Sequence, residues 1–373
     1  MKDFNYFMPT KIYFGNDCVL KNADVFKQFG KKAVLITGRT SAKKNGSQAD
    51  VQKALESAGI EYFIFDDIEE NPSLSTVEKA AEKTIYEKAD FVIGIGGGSP
   101  MDAGKAIAVL AAQDINRDAL FSGEYQDKVL PMAFIPTTAG TGSEVTQYAV
   151  LTNDAAQTKT PLSAPFMFPD VALLDGKYMM KLSQTTTINT TVDALTHLIE
   201  SYLSVRADAI SSALALEGMR SLAPMLQKLL FSELTPEDRN ALLYASTLGG
   251  IVIAQTGTNV VHSMGYPLTY FKNIDHGRAN GLLMAEFLKY ASVSAPKPTS
   301  EIVEALGFAS VSHLTYMLRE YMGKKEIISS DEVLKFTKTA MRAKNIGTCI
   351  VNLSEEQIKD IYAQTFEVNM NNR

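Results

Sequence analysis

His197, His262 and His276 account for three of the four histidines in this chain of 373 residues. An aspartate, Asp193, stands four positions before the first of them. On a helix that spacing turns a carboxylate and an imidazole to one face, where the pair can share a divalent cation. His262 and His276 could complete a set of one carboxylate and three imidazoles, which leaves room for a substrate oxygen. Each piece also has a plainer reading. An Asp/His pair at this spacing is a common surface arrangement. His262 lies among Val260, Val261, Met264 and Tyr266, where a satisfied core histidine would lie. His276, between Asp275 and Gly277, reads as a turn. The fourth histidine, His313, has no partner nearby in sequence and is assigned no role.

Two glycine-rich segments could hold a second reactant. Gly94-Ile-Gly-Gly-Gly-Ser-Pro-Met-Asp-Ala-Gly-Lys105 links a strand pattern to a helix pattern. Glycines there let backbone amides approach a diphosphate, and the following helix start favours an anion. Capping accounts for part of the same segment, with Ser99 as N-cap, Pro100 at the first helical position and Asp102 closing a near capping box. Three consecutive glycines exceed what a cap needs. The segment is a variant of the dinucleotide fingerprint, because Ser99 stands where its third glycine would. The second segment, Ile135-Pro-Thr-Thr-Ala-Gly-Thr-Gly-Ser-Glu-Val-Thr146, follows another strand pattern. Its Thr137, Thr138 and Thr141 hydroxyls could line a nucleotide groove.

These segments need elements to position them. Lys32–Thr37, Tyr62–Phe65, Phe91–Ile95 and Met132–Ile135 read as strands. Val51–Ala58, Ser75–Glu87 and Met101–Ala112 read as the helices between them. This alternation predicts a parallel sheet flanked by helices, with ligands at the carboxyl ends of its strands. After Asp175 the pattern becomes helical, over Thr191–Val205, Ala207–Leu230, Pro236–Gln255, Gly281–Ala291 and Ser330–Lys344. We therefore expect a Rossmann-like α/β nucleotide-binding domain over residues 1–178 and an all-α metal-binding domain over residues 179–373, with chemistry in the cleft between them.

Composition agrees with a globular enzyme. Hydrophobic residues are 46% and charged residues 21%, which excludes wholesale disorder. A net charge of −6 gives no reason to expect nucleic acid or an anionic membrane as a partner. The two cysteines, Cys18 and Cys349, form no Cys-x-x-Cys and fit a reducing compartment. No signal peptide or apolar run of membrane-spanning length is read, so the expected location is cytoplasmic.

Taken together, Gly96-Gly-Gly-Ser-Pro-Met-Asp-Ala-Gly-Lys105, Pro136-Thr-Thr-Ala-Gly-Thr-Gly-Ser-Glu144, Val192-Asp-Ala-Leu-Thr-His-Leu-Ile-Glu200, His262-Ser-Met-Gly-Tyr-Pro267 and Asp275-His-Gly277 resemble the iron-containing (group III) alcohol dehydrogenase family. The opening Phe7-Met-Pro-Thr-Lys-Ile-Tyr-Phe-Gly15 is similar too, and the likeness is nearest to the bacterial 1,3-propanediol and butanol dehydrogenases. The resemblance implies a dehydroquinate synthase-like architecture and a metal held by Asp193, His197, His262 and His276. It implies Fe²⁺, with Zn²⁺ as the alternative. It also implies that Gly97, Gly98 and Ser99 contact the diphosphate, that Asp102 orders their loop, and that Thr137, Thr138, Thr146 and Lys159 line the cofactor groove, with Thr141 and Asn71 in the same set. A homodimer or larger homo-oligomer is expected on the same ground. Many members carry a further histidine four residues after the first ligand of the His262 motif, often drawn as a proton relay. Here Tyr266 occupies that position beside the catalytic pair His262 and His276, and a tyrosine with an ordinary pKa of about 10 suits neutral proton transfer poorly.

The nucleotide is read from the end of the first α/β strand. Thr37-Gly-Arg-Thr-Ser41 contains no acid to accept from a ribose 2′-hydroxyl and repel a 2′-phosphate. Gly38, Arg39 and Ser41, with Lys43 and Lys44 close by, offer space and donors, so NADP(H) is expected over NAD(H). The expected function is hydride transfer between NADP(H) and a small primary alcohol or aldehyde. The alternatives are a zinc-dependent polyol dehydrogenase using NAD, a dehydroquinate synthase-like lyase, for which only Lys105 and Lys159 offer cleft cations, and a nucleotide-binding scaffold without catalysis.

Overall fold

The structure is a computed structural model that describes residues 3–153, 158–231 and 233–369. It divides into two compact units, Phe7–Leu182 with Leu234–Leu243, and Ser183–Glu233 with Tyr244–Arg373 and Met1–Tyr6.

Among the described residues the first unit is built on eight strands: β1 (Lys11–Phe14), β2 (Lys32–Gly38), β3 (Glu61–Ile68), β4 (Phe91–Gly96), β5 (Met132–Pro136), β6 (Tyr148–Asn153), β7 (Thr158–Ser163) and β8 (Val171–Leu174). Six of them form one parallel sheet in the order β1-β8-β5-β4-β2-β3, while β6 and β7 pair antiparallel as a separate ribbon. Alternate residues feed two cores. Val34, Ile36, Val92 and Phe134 pack on one face, and Ala33, Leu35, Ile93, Ile95 and Ile135 on the other. Burial on both faces is what parallel strands with helical crossovers require. The chain runs outward from β2 to β3, then returns past β2 to β4. That reversal makes the gap between the carboxyl ends of β2 and β4 the topological switch point, where ligands of such sheets sit.

Local structure at that point departs from the capping reading. The helix after β4 begins at Gly98 and runs to Ala112, with Gly97 at the N-cap and no side-chain cap. Ser99 accepts instead from the Asn71 backbone N–H at 3.3 Å. Asp102 reaches across to accept from Ser143 Oγ at 2.6 Å and Val150 N at 3.0 Å. Both side chains meet distant partners, so neither is left for a local cap.

The second unit is helical. Its helices include Gln184–Tyr202, Ala209–Lys228, Val260–Lys272, His276–Ser294, Val311–Met322 and Glu355–Thr365. The stretch around His262 is thus a full helix, with Asn259 at its N-cap. His276 opens a helix, and the Asp275 side chain caps it by accepting from Arg278 N. The expected turn is therefore a helix start, since an Asp N-cap and a turn share residue types. A short parallel pair, Ile327–Ser329 with Glu367–Asn369, accompanies the helices. Among the described residues no helix is long and apolar enough to cross a membrane.

Candidate active site

The helix Gln184–Tyr202 starts at Ser183, whose side chain accepts from Thr186 N. It carries Asp193, His197 and Glu200 at i, i+4 and i+7, and all three are buried. The helices Val260–Lys272 and His276–Ser294 pack against it and bring His262 and His276 to the same place. His262 Nε2 lies 3.0 Å from His197 Nε2 and 3.7 Å from Asp193 Oδ1. His276 Nε2 lies 3.7 Å from Asp193 Oδ1. One ligand atom from each of Asp193, His262 and His276 lies within 4.8 Å of the others. Bonds of about 2.0–2.2 Å to one ion place neighbouring donors roughly 3–3.5 Å apart, so the donor set fits a single cation.

The charges around these atoms favour positive charge. Burial pushes the Asp193 carboxyl up, but the imidazoles of His197, His276 and His262 outweigh it and hold it far below the usual range. Burial pulls the His262 imidazole down, yet Glu200 and Asp193 lift it to about 9.

Two residues absent from the sequence-based set support the cluster. Glu200 Oε2 lies 2.6 Å from His262 Nδ1. Asn280 Nδ2 donates to Asp193 Oδ1 at 3.1 Å and lies 3.3 Å from His276 Nε2. Each sits on a ligand-bearing helix at helical spacing, Glu200 three after His197 and Asn280 four after His276, and that was the available signal. Tyr266 lies with its ring nearly parallel to that of His276, centroids 6.1 Å apart.

In the other unit the two glycine-rich loops pack on each other. A Cβ at Gly97 would stand 3.2 Å from Thr138 Oγ1, and one at Gly98 only 2.9 Å from Thr141 Cγ2. Thr137 is buried, and its N–H donates to Gly96 O at 2.7 Å. Lys105 is fully buried and donates to Ser143 Oγ, Thr146 Oγ1 and Tyr148 O at 2.8, 3.3 and 2.6 Å. Burial pulls it down to about 8 while Asp102 and Glu144 draw it back up. Lys105 therefore ties the second loop to the helix of the first and is no groove-lining cation. Lys159 Nζ donates to Asn71 Oδ1 at 2.5 Å, and Asn71 holds a left-handed backbone with φ of 57°. Ser99, Asn71 and Lys159 are thus joined through one chain of contacts.

Gly98→Ala is expected to raise the KM for nucleotide about tenfold with little change in stability, because the added methyl displaces Thr141 and narrows the approach to the loop amides. Steady-state kinetics and a melting curve check it, and an unchanged KM would exclude close approach at Gly98.

At the end of β2 the cations are paired. Arg39 Nε meets Asp67 at 2.6 Å and Lys43 Nζ meets Asp66 at 2.5 Å, all four side chains exposed. The sequence reading stopped the neighbouring strand at Phe65. The actual β3 runs to Ile68, with an irregularity in its pairing against Ile36 and Gly38, which carries both aspartates alongside.

The family model described as "Iron-containing alcohol dehydrogenase" matches residues 9–176, and the one described as "Fe-containing alcohol dehydrogenase family, C-terminal" matches residues 187–366. This chain belongs to the iron-containing alcohol dehydrogenase family. Its relatives in that family include the 1,3-propanediol dehydrogenase of Citrobacter freundii, 31% identical over 82% of this chain and 79% of the relative. The NADPH-dependent butanol dehydrogenase of Clostridium saccharobutylicum is also 31% identical, over 86% of this chain and 84% of its own. A crystal structure of an iron-containing alcohol dehydrogenase from Thermotoga maritima superposes with a TM-score of 0.91 at 38% identity, covering 98% of this chain and 99% of that one. The chain is therefore an oxidoreductase of the alcohol dehydrogenase type, and the α/β unit followed by a helical unit is the architecture of its family.

Proposed function

We propose that this enzyme transfers a hydride between NADP(H) and a small primary alcohol or aldehyde, using Fe²⁺ held by Asp193, His197, His262 and His276. The observation that carries the reading is the convergence of one carboxylate oxygen and three imidazoles, with Asp193, His197 and His262 buried and His276 partly exposed. When bound, the cation supplies Lewis-acid polarisation of the substrate oxygen, and the nicotinamide supplies or accepts the hydride. Asp193 contributes the negative charge that a dication needs, and Asn280 orients its Oδ1. Burial of His197 and His262 excludes water from the inner side of the site. Tyr266 shapes the wall beside His276. Gly97, Gly98 and Ser99 offer backbone amides and a hydroxyl to the diphosphate, and Gly38, Arg39 and Ser41 meet the adenosine ribose.

The nucleotide preference rests on Arg39 and Lys43. Exposed ion pairs are worth about 0–1 kcal/mol, so a 2′-phosphate, with its charge-assisted hydrogen bonds, outcompetes Asp66 and Asp67. The butanol dehydrogenase relative is named NADPH-dependent, in the same direction. The donor set also suits Zn²⁺, and iron is preferred on the family description. A lyase acting on a phosphorylated substrate is disfavoured, because Lys105 is committed inside the fold.

The test is purification without oxygen, elemental analysis, and turnover of butyraldehyde. The expected result is about one iron per chain and a kcat/KM with NADPH at least roughly tenfold that with NADH. A clear NADH preference ends the nucleotide reading, and full turnover by metal-free protein ends the metal reading.

A further inference from the structure

Glu200 is fully buried, and its two oxygens meet four nitrogens of a single turn. Oε1 accepts from Val261 N at 2.6 Å and His262 N at 3.2 Å. Oε2 accepts from Asn259 N at 3.1 Å and lies 2.6 Å from His262 Nδ1. Asn259 answers by donating its Nδ2 to the Glu200 carbonyl at 2.8 Å. Three of the four donors are backbone N–H groups at the start of the helix Val260–Lys272, where a helix has no internal acceptors for them. Backbone N–H groups cannot change role, so both Glu200 oxygens are already engaged as acceptors. The role of the fourth contact follows: His262 Nδ1 must carry a proton and donate it.

We propose that Glu200 is a positioning residue that holds the proton of His262 on Nδ1 and so leaves Nε2 as the donor aimed at the metal centre. Nε2 is the atom that stands 3.0 Å from His197 Nε2 and 3.7 Å from Asp193 Oδ1. Partners that fix a ligand ring in this way commonly govern metal affinity about as strongly as 10–100-fold. The same carboxylate caps the helix that carries the ligand, so ring orientation and helix start are set by one group. The inference deepens the proposed metal site and rests on it for the consequence, though the state of the ring nitrogens does not depend on metal.

Glu200→Gln keeps an acceptor for two of the three backbone donors, Val261 N and His262 N, and changes what faces His262 Nδ1. Its amide oxygen belongs at the Oε1 position, where two backbone donors require an acceptor. The amide NH₂ then faces His262 Nδ1, which must accept, and the ring proton moves to Nε2. The experiment uses the full chain labelled with ¹⁵N-histidine, long-range ¹H–¹⁵N spectra, competition titration with Zn²⁺ as a diamagnetic probe, and melting curves without metal. The wild type is expected to show a protonated Nδ1 on His262. Glu200→Gln is expected to show a bare Nδ1 and a Zn²⁺ affinity lower by about 10–100-fold. Its metal-free melting midpoint should fall less than that of Glu200→Ala, which removes the acceptor from all four donors. A protonated Nδ1 in Glu200→Gln, or Zn²⁺ affinity within about twofold of wild type, overturns the proposal. Should the wild type take up no Zn²⁺, the metal reading fails, and the nitrogen assignments alone still decide what Glu200 does.

Discussion

His262→Ala is expected to lose bound metal and to cut turnover by about a thousandfold while the chain still folds. His262 is the member nearest the others, 3.0 Å from His197 and 3.7 Å from Asp193. Removing it takes away one donor and also the ring that lies between two buried carboxylates, Asp193 and Glu200. Polarisation by a cation is worth several kcal/mol, and about 1.4 kcal/mol corresponds to each tenfold in rate, hence the magnitude. The structural cost is smaller. Glu200 keeps three backbone donors. One lost hydrogen bond to a charged, buried group costs about 1–3 kcal/mol, a drop of several degrees in melting temperature. Elemental analysis, turnover and a melting curve on the same preparation check the three parts together. Wild-type turnover in a metal-free His262→Ala enzyme would contradict the proposed chemistry.

Gly277→Ala is expected to be almost as damaging, although the residue touches no reactant. Gly277 lies in the first turn of the His276–Ser294 helix, against the helix that carries Asp193. A Cβ there would run into the Asn189 carbonyl oxygen, stand 2.7 Å from the Asn189 carbonyl carbon and 3.1 Å from Asp193 Cβ. Two opposing effects can be compared. Alanine over glycine favours a helix interior by about 1 kcal/mol. Overpacking against a backbone that cannot rotate away costs about 3 kcal/mol, and occasionally more. The clash wins, and it is relieved only by moving the two helices apart. That movement also takes His276 from Asp193, now 3.7 Å away. Metal affinity and turnover should therefore fall together, by about a hundredfold or more, with a lower melting temperature. A Gly277→Ala enzyme that melts no lower than wild type and keeps its metal would show that this close helix approach is not needed.

Both variants act on contacts whose parts were visible in the sequence but whose meeting was not. Asp193 and His197 could be assigned to one face because helical spacing is local. Their link to His262 and His276 came from family likeness, since nothing between positions 197 and 276 says how three helices pack. Glu200 was in view, one turn beyond His197, and went unused because its partners lie 59 to 62 residues away. The glycine loops show the same division. Strand, glycines and helix were legible, and capping was the natural local use for Ser99 and Asp102. The fold gives those side chains to Asn71 and to Ser143 and Val150 instead. Arg39 and Lys43 look available to a phosphate because their acids, Asp66 and Asp67, lie beyond the apolar run Tyr62–Phe65 by which their strand is recognised.

The sequence by itself determined the alternation of strands and helices in the first half, the helical second half, the two glycine loops and the kind of donor atoms available, because all of these are written in residue type and in spacings shorter than a helix. Tertiary structure alone decided that donors 65 residues apart come within 3.0 Å, which carboxylate meets the ring of His262, and which acids pair the cations beside β2. Those outcomes depend on how helices and strands pack across long stretches of chain, and packing is a property of assembled surfaces that no local window contains.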